Sequence, residues 1–254
     1  MEPKVCGSNR SSLRFYRQFR IFYAIKMYIW FFICVLGMFI TIPLHFKSVE
    51  HIENQKKYGK EKGVRIGKIY GTISGTMEFI FLVGLWISPQ PRFTIPILSN
   101  LSISIANFST PILHSIISSP LVTLGAWIAI RGVKATRLEV AETHCTPKRL
   151  ETAGVYSIVR HPQYLGWILA HVGMSILLSV WYSMLFTPIL IVIIYLISKK
   201  EEAELIREFG KEYENYQEEV PMMIPRRVQS LERATWSCKF LFLNQRRILF
   251  SPCI

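Results

Sequence analysis

The sequence predicts an all-α, polytopic membrane protein, a bundle of about five transmembrane helices followed by an amphipathic C-terminal helix. Three observations carry this expectation. Half of the 254 residues are hydrophobic and 19% are charged, which is too apolar for an ordinary soluble domain. Five long apolar stretches recur along the chain. The 30 Lys and Arg residues are shared unevenly among the segments between them, as the positive-inside rule describes.

The first span, 27–44, carries no charge, and the second, 69–87, is interrupted only by Glu78. An intramembrane acid is costly and marks either a functional group or a paired one, with His114 and His171 as the available histidine partners. A basic loop, 45–68, joins these spans and suits anionic lipid headgroups. The segment 91–110 is rich in Ser and Ile with prolines at its edges, and reads as an external loop or surface-lying segment. The third span is 112–130. Spans 164–180 and 184–198 are separated only by Trp181, Tyr182 and Ser183, so they form a tight hairpin with aromatic residues at its tip. Along the first arm Tyr164, Ile168, His171 and Ser175 share one face, taken as the bundle interior. In 199–220, Leu205, Phe209, Tyr213, Tyr216 and Val220 recur at helical spacing, while Glu204, Glu208, Lys211 and Glu212 fall elsewhere around the helix. The chain therefore divides into an N-terminal membrane region (1–110), a membrane core (111–225) and a basic tail (226–254).

With the N-terminus outside, 23 basic residues fall inside and seven outside, and the sequons at Asn9, Asn100 and Asn107 all fall outside. The expected arrangement is N-outside and C-cytoplasmic. The same rule accounts for the net charge of +13, so no nucleic-acid partner is inferred. All 17 acidic residues are Glu, which excludes aspartic-protease dyads, kinase-type magnesium sites and EF-hands. Five cysteines without a C-x-x-C pair exclude the familiar zinc and thioredoxin patterns, and His144-Cys145 offers too few donors for a metal site.

Polar residues concentrate at one end of the hairpin. Before the first arm stands Tyr156-x-x-x-Arg160-His161-Pro162-x-Tyr164-x-Gly166, and after the second stands Lys199-Lys200-Glu201-Glu202. Antiparallel arms bring these sets to one membrane surface. Taken alone, such residues also suit snorkelling cations and the start of a solvated helix. Pro162 fits the first turn of a helix.

This run, with Glu201-Glu202-x-x-Leu205-x-x-x-Phe209-Gly210-x-x-Tyr213-x-x-Tyr216-x-x-x-Val220-Pro221 after it, resembles the signature of the integral-membrane methyltransferases. That family includes the isoprenylcysteine carboxyl methyltransferases and the phospholipid N-methyltransferases. The resemblance covers about residues 121–225. It implies S-adenosylmethionine as cofactor, a lipid or lipophilic small-molecule acceptor, and transfer at the cytoplasmic membrane surface. Carried over, it places His161, Pro162 and Tyr164 in the cofactor pocket, with Tyr156 from the preceding loop, Lys148 and Leu150 as further contacts, and Glu201 and Glu202 as the acidic pair. Arg160 is the candidate partner for a substrate or cofactor carboxylate. The physics agrees: a carboxylate can hold the cofactor's ammonium, and aromatic faces suit its adenine and its cation. Two departures stand out. Prenylcysteine enzymes carry an arginine one turn before the acidic pair, where this chain has Ile197. The phospholipid enzymes carry a Gly-x-Gly element on the preceding span, where this chain has Gly125-Ala126-Trp127. The competing readings are a nicotinamide-dependent sterol-type reductase, with a similar Tyr…Val-Pro ending, and a non-catalytic module that retains the bundle.

Overall fold

A computed structural model of the chain describes the backbone of residues 10–97, 100–105, 108–136 and 150–225, with side chains from Tyr28 onward except at 105–108. Asn9, Asn107, His144, Cys145, Lys148 and the tail 226–254 lie outside the described residues.

The bundle is helical, as expected. Helix α1 (Arg10–Val49) is continuous over 40 residues and contains the first predicted span. The basic loop predicted after it is itself helical: α2 (His51–Tyr58) is followed, after a turn at Gly59, by α3 (Lys60–Ile87). Lys, Glu and Gln are good helix formers, so the helices run on past their apolar stretches. The segment predicted as an external loop contains a small antiparallel hairpin, β1 (Ser102–Ile105) and β2 (Phe108–Pro111). Helix α4 (Ile112–Thr136) follows. After a 3-10 turn at Gly154–Ser157 come α5 (Pro162–Leu177), α6 (Trp181–Phe209) and α7 (Lys211–Glu219).

Among the described residues four helices are long and apolar enough to cross a membrane, within α1, α3, α4 and α6. Their outward faces carry Trp30, Phe32, Leu36, Ile40, Trp127 and Leu196, a surface suited to lipid. Helix α5 is shorter, 16 residues. At about 1.5 Å per residue it reaches only about 24 Å, short of a typical hydrocarbon core of about 30 Å. It lies against α4, backbone against backbone. A Cβ built on Gly166 would meet the Gly125 carbonyl oxygen at 2.5 Å, and one on Gly173 would meet Val122 Cγ2 at 2.7 Å. Small residues on both helices permit this approach. The main apolar core joins Cys34 and Met38 of α1 to Leu82 and Leu85 of α3 and to Phe186, Leu190, Ile193 and Ile197 of α6.

The hairpin turns at 178–180, earlier than the predicted tip at Trp181–Ser183, and Ser179 adopts φ +59°. The preceding loop imposes this turn. Phe93 N–H donates to the Ser179 carbonyl (2.9 Å), Trp181 N–H to that of Pro91 (3.0 Å), and Ser183 N–H to Gln90 Oε1 (2.8 Å). His114 receives Ile95 N–H at Nε2 (3.0 Å), so its Nδ1–H donates to Ser179 Oγ (2.8 Å). Trp86 Nε1–H donates to His171 Nδ1 (3.1 Å), whose Nε2–H meets the Ser183 carbonyl (3.1 Å). Neither histidine pairs with Glu78. Both belong to the tip end, and Glu78 instead meets His45 of α1.

The amphipathic helix predicted over 199–220 is two helices. Its first half continues α6 without a break, and Gly210 at φ +55° then redirects the chain into α7. Tyr213, Tyr216 and Val220 of the folded-back segment pack with Leu205, Ile206, Phe209 and Leu150, so that α7 covers the end of the bundle opposite the hairpin tip.

Replacing Gly166 by Val is expected to wedge α4 from α5 and to destabilise the folded state by about 1–3 kcal/mol, the usual cost of overpacking. Thermal unfolding in detergent would read this as a lowered midpoint, and an unchanged midpoint would contradict the backbone contact.

Candidate functional site: an arginine–glutamate–histidine cluster under the α7 cover

At the end of the bundle opposite the tip, the two sequence motifs meet directly. Arg160, in the turn before α5, places both Nε and Nη2 at 2.8 Å from Glu202 Oε1 on α6. Its third nitrogen, Nη1, donates to the Gln217 carbonyl (3.0 Å) and to that of Val220. The Arg160 and His161 backbone N–H groups donate to the carbonyls of Pro221 (2.9 Å) and Met222 (3.0 Å). One turn of chain therefore fastens the α6 acid and the segment after α7 together. The ion pair is enclosed: the Arg160 side chain is 9% exposed and that of Glu202 3%. Such a pair is tolerable only when the remaining lone pairs and protons are satisfied. Gln217 Nε2 donates to Glu202 Oε2 at 3.0 Å and completes that condition.

His161 bridges the two acids. Nε2 lies 3.2 Å from Glu202 Oε1 and Nδ1 3.4 Å from Glu201 Oε2. Carboxylates only accept, so an imidazolium with both nitrogens protonated matches this geometry. Burial alone pulls the His161 pKa down, but the hydrogen bonds and charges of Glu201 and Glu202 outweigh it and hold the pKa above the usual histidine value. Tyr164 stacks on the His161 ring (centroids 5.7 Å apart, planes at 20°) and donates its hydroxyl to Glu201 Oε1.

Of the residues singled out by sequence, His161, Tyr164, Glu201, Glu202 and Arg160 thus form one connected cluster. Pro162 is fully buried at the first turn of α5. Tyr156 stands one link away: Gln163 Nε2 donates to its hydroxyl (3.1 Å), the Tyr216 hydroxyl donates to its carbonyl (2.6 Å), and burial pushes its own hydroxyl pKa up to about 12. Leu150 packs into the α7 cover. The guanidinium of Arg160 is committed to Glu202 and the two carbonyls, which leaves no fork for an incoming carboxylate.

Sequence reasoning missed two members of the site. Gln163 and Gln217 hold Tyr156 and Glu202 in place, and both occupy positions the motif leaves unspecified. Glu204, read as lying elsewhere on the helix, is 3% exposed. Arg207 takes its Oε1 at 2.5 Å, and its Oε2 has no partner among the described residues. Glu204 pairs within its own helix and makes no hydrogen bond to the cluster among the described residues.

Comparison with known proteins bears on this geometry. The phospholipid methyltransferase family profile matches residues 113–212, which contain Arg160, His161, Tyr164 and the Glu201–Glu202 pair. A methanethiol S-methyltransferase of Crocosphaera subtropica is 34% identical over 94 residues, 37% of this chain and 36% of that one. A protein-S-isoprenylcysteine O-methyltransferase of Schizosaccharomyces pombe is 39% identical over 77 residues, 30% of this chain and 33% of that one, and the human enzyme of that name is 35% identical over 95 residues, 34% and 30%. The chain spans about a third of the length of these relatives. Residues 113–212 are similar to the integral-membrane methyltransferases. In this matched core, α4, α5 and α6 supply the bundle, while the N-terminal helices and all but the first two residues of α7 lie outside the matched region.

Two outcomes are expected. Arg160→Met leaves Glu202 buried and uncompensated, at a cost of about 3–5 kcal/mol, whereas Arg160→Met with Glu202→Leu recovers much of that loss. Thermal unfolding of both variants reads the difference, and equal losses would mean that the pair is not coupled. A raised His161 pKa contributes stability fully present below about pH 6.5, the ordinary histidine value, and lost as pH rises through the folded-state value. The unfolding midpoint should therefore fall above neutral pH, and His161→Gln should flatten that fall.

Proposed function

We propose that this chain transfers a methyl group from S-adenosylmethionine to a lipid or lipophilic small-molecule acceptor at the membrane surface where the motifs meet. The observation that carries this reading is the junction of Arg160–His161 with Glu201–Glu202 across 41 and 42 residues of chain, under a cover contributed by the same motif. The family match and the methyltransferase names of its relatives support it. By the positive-inside count, this surface is cytoplasmic and the N-terminus lies outside.

The residues present suit such a cofactor. Glu201, with its side chain 16% exposed, is the more accessible of the acidic pair and is the carboxylate assigned to the cofactor's ammonium. Glu202 is enclosed and positions Arg160 and His161. His161, Pro162, Tyr164 and Tyr156 form the walls, with Leu150 and Lys148 from the approach segment. The sulfonium supplies the reactive methyl. The task of the chain is to align it with a nucleophile and to keep water away, which the α7 cover and the bilayer both serve.

Calorimetric binding to detergent-purified protein tests the reading. S-adenosylmethionine and its demethylated product are expected to bind, and Glu201→Gln to weaken binding about tenfold, or about 1.4 kcal/mol. Binding of NADPH alone, or of nothing by folded protein, would reject it.

A further inference from the structure

Two ionisable side chains of the N-terminal helices, His45 buried and Glu78 partly buried, pair with each other without belonging to the motif cluster. His45 of α1 places Nδ1 3.0 and 3.1 Å from the two carboxylate oxygens of Glu78 on α3. The side chains are 9% and 22% exposed, and neither residue lies in the segment 113–212. Both stand within spans, where ionisable groups are rare and line functional pathways. Phe46, next to His45, packs on the same core cluster as Tyr164, Ile168, Ile197 and Met223, and carries the Lys200 ammonium 5.0 Å above its ring. The charge of Glu201 acts on His45, and that of Glu78 acts on Tyr164. The groups around this interior are His45 from α1, Glu78 from α3, Tyr164 from α5 and Glu201 from α6, with His161 against both Tyr164 and Glu201. At the rim, Lys47 and Lys200 both pair with Glu50.

This interior is poorly suited to an anionic acceptor. Glu78 and Glu201 already hold its histidines, Arg160 is committed to Glu202, and the position one turn before the acidic pair is Ile197, 2% exposed. A protic nucleophile meets the opposite situation. In the neutral ring, an Nδ1–H directed at Glu78 leaves the lone pair on Nε2, the arrangement in which a carboxylate orients an imidazole base.

We propose that the His45–Glu78 pair forms the acceptor end of the site and takes up the proton of a thiol or ammonium acceptor. The proposal rests on the methyl-transfer reading above. In the step, the S–H bond breaks and its proton passes to His45 Nε2, leaving the electron pair on sulfur. That pair forms the new S–CH3 bond while the old methyl–sulfonium bond breaks, its electrons remaining on the departing thioether. An ammonium N–H breaks in the same way. The imidazolium, stabilised by Glu78, then returns its proton to solvent. A carboxylate acceptor would need no such base.

The test uses the full chain in nanodiscs with methyl-tritiated S-adenosylmethionine and three probes: dodecanethiol, phosphatidylethanolamine and S-farnesyl-N-acetylcysteine. One or both protic probes should be methylated in preference to the prenylcysteine carboxylate. His45→Gln should lower that transfer about 100-fold at neutral pH, with the deficit shrinking as pH rises towards the acceptor's own ionisation. Donor affinity by calorimetry should change less than about threefold, which also reports a folded variant. Nitrogen NMR of histidine-labelled protein should show the Nδ1–H tautomer of His45 and its loss in Glu78→Gln, independently of turnover. Preference for the carboxylate, no transfer to either protic probe while the donor binds, or an equal deficit at every pH overturns the proposal and leaves the methyl-transfer reading standing. Failure of folded wild-type protein to bind the donor removes both.

Discussion

The organisation of the site depends on one buried ion pair. Arg160 and Glu202 come from the two arms of the hairpin, 42 residues apart, and each has a further obligation that the other alone cannot meet. The guanidinium has nitrogens to spare, and they take the carbonyls of Gln217 and Val220. The carboxylate has a second oxygen, and Gln217 fills it. Removing two charges from water costs several kcal/mol each, and only a fully satisfied network offsets that. The consequence is that α7 is bound to the bundle by the same groups that order the acidic pair. A polar cluster serves here as the clasp of the cover.

The opposite end of the hairpin solves a different problem. A turn between two apolar helices exposes backbone groups at the membrane interface, and these need partners. The loop before β1 and the side chains of Gln90, His114 and Thr110 supply them, with Thr110 Oγ1 donating to the Leu177 carbonyl at 2.8 Å. Between the two ends, α4 and α5 approach through Gly125, Gly166 and Gly173. The short α5 is thereby held at a fixed height, with Arg160, His161 and Tyr164 at its motif end. Precision at the cluster comes from three independent contacts: the clasp, the glycine seam and the pinned tip.

The N-terminal helices contribute more than a membrane anchor. Helix α2 docks on α6 through His51 and Glu208 (3.2 Å), and burial lowers the His51 pKa less than Glu208 and its other partners raise it, so the contact favours the protonated ring. His45 and Glu78 bring a second acid–base pair to the face of the cluster turned towards α1 and α3. The motif residues thus order one part of the interior, and the region outside the matched segment shapes the remainder.

Much of this was legible in the sequence. Apolar run length located the helices, because a bilayer demands about 20 consecutive apolar residues. Antiparallel arms alone implied that Arg160–His161 would meet Glu201–Glu202. The interior face of α5 followed from helical periodicity, since Ile168, His171 and Ser175 recur every three or four residues. Other features were decided by tertiary structure. Glu78 has no local partner in the chain, and only the packing of α1 on α3 selects His45 over His114 and His171, which the tip consumes. The break at Gly210 interrupts a periodicity that runs smoothly through it, because the residues on either side keep the same apolar face while the backbone turns back. The hairpin tip moved to 178–180 because hydrogen bonds from a loop some 80 residues earlier fix Ser179. Composition and spacing determine which residues enter the membrane and which end they share. Which buried polar group meets which depends on distances between helices that no local pattern records.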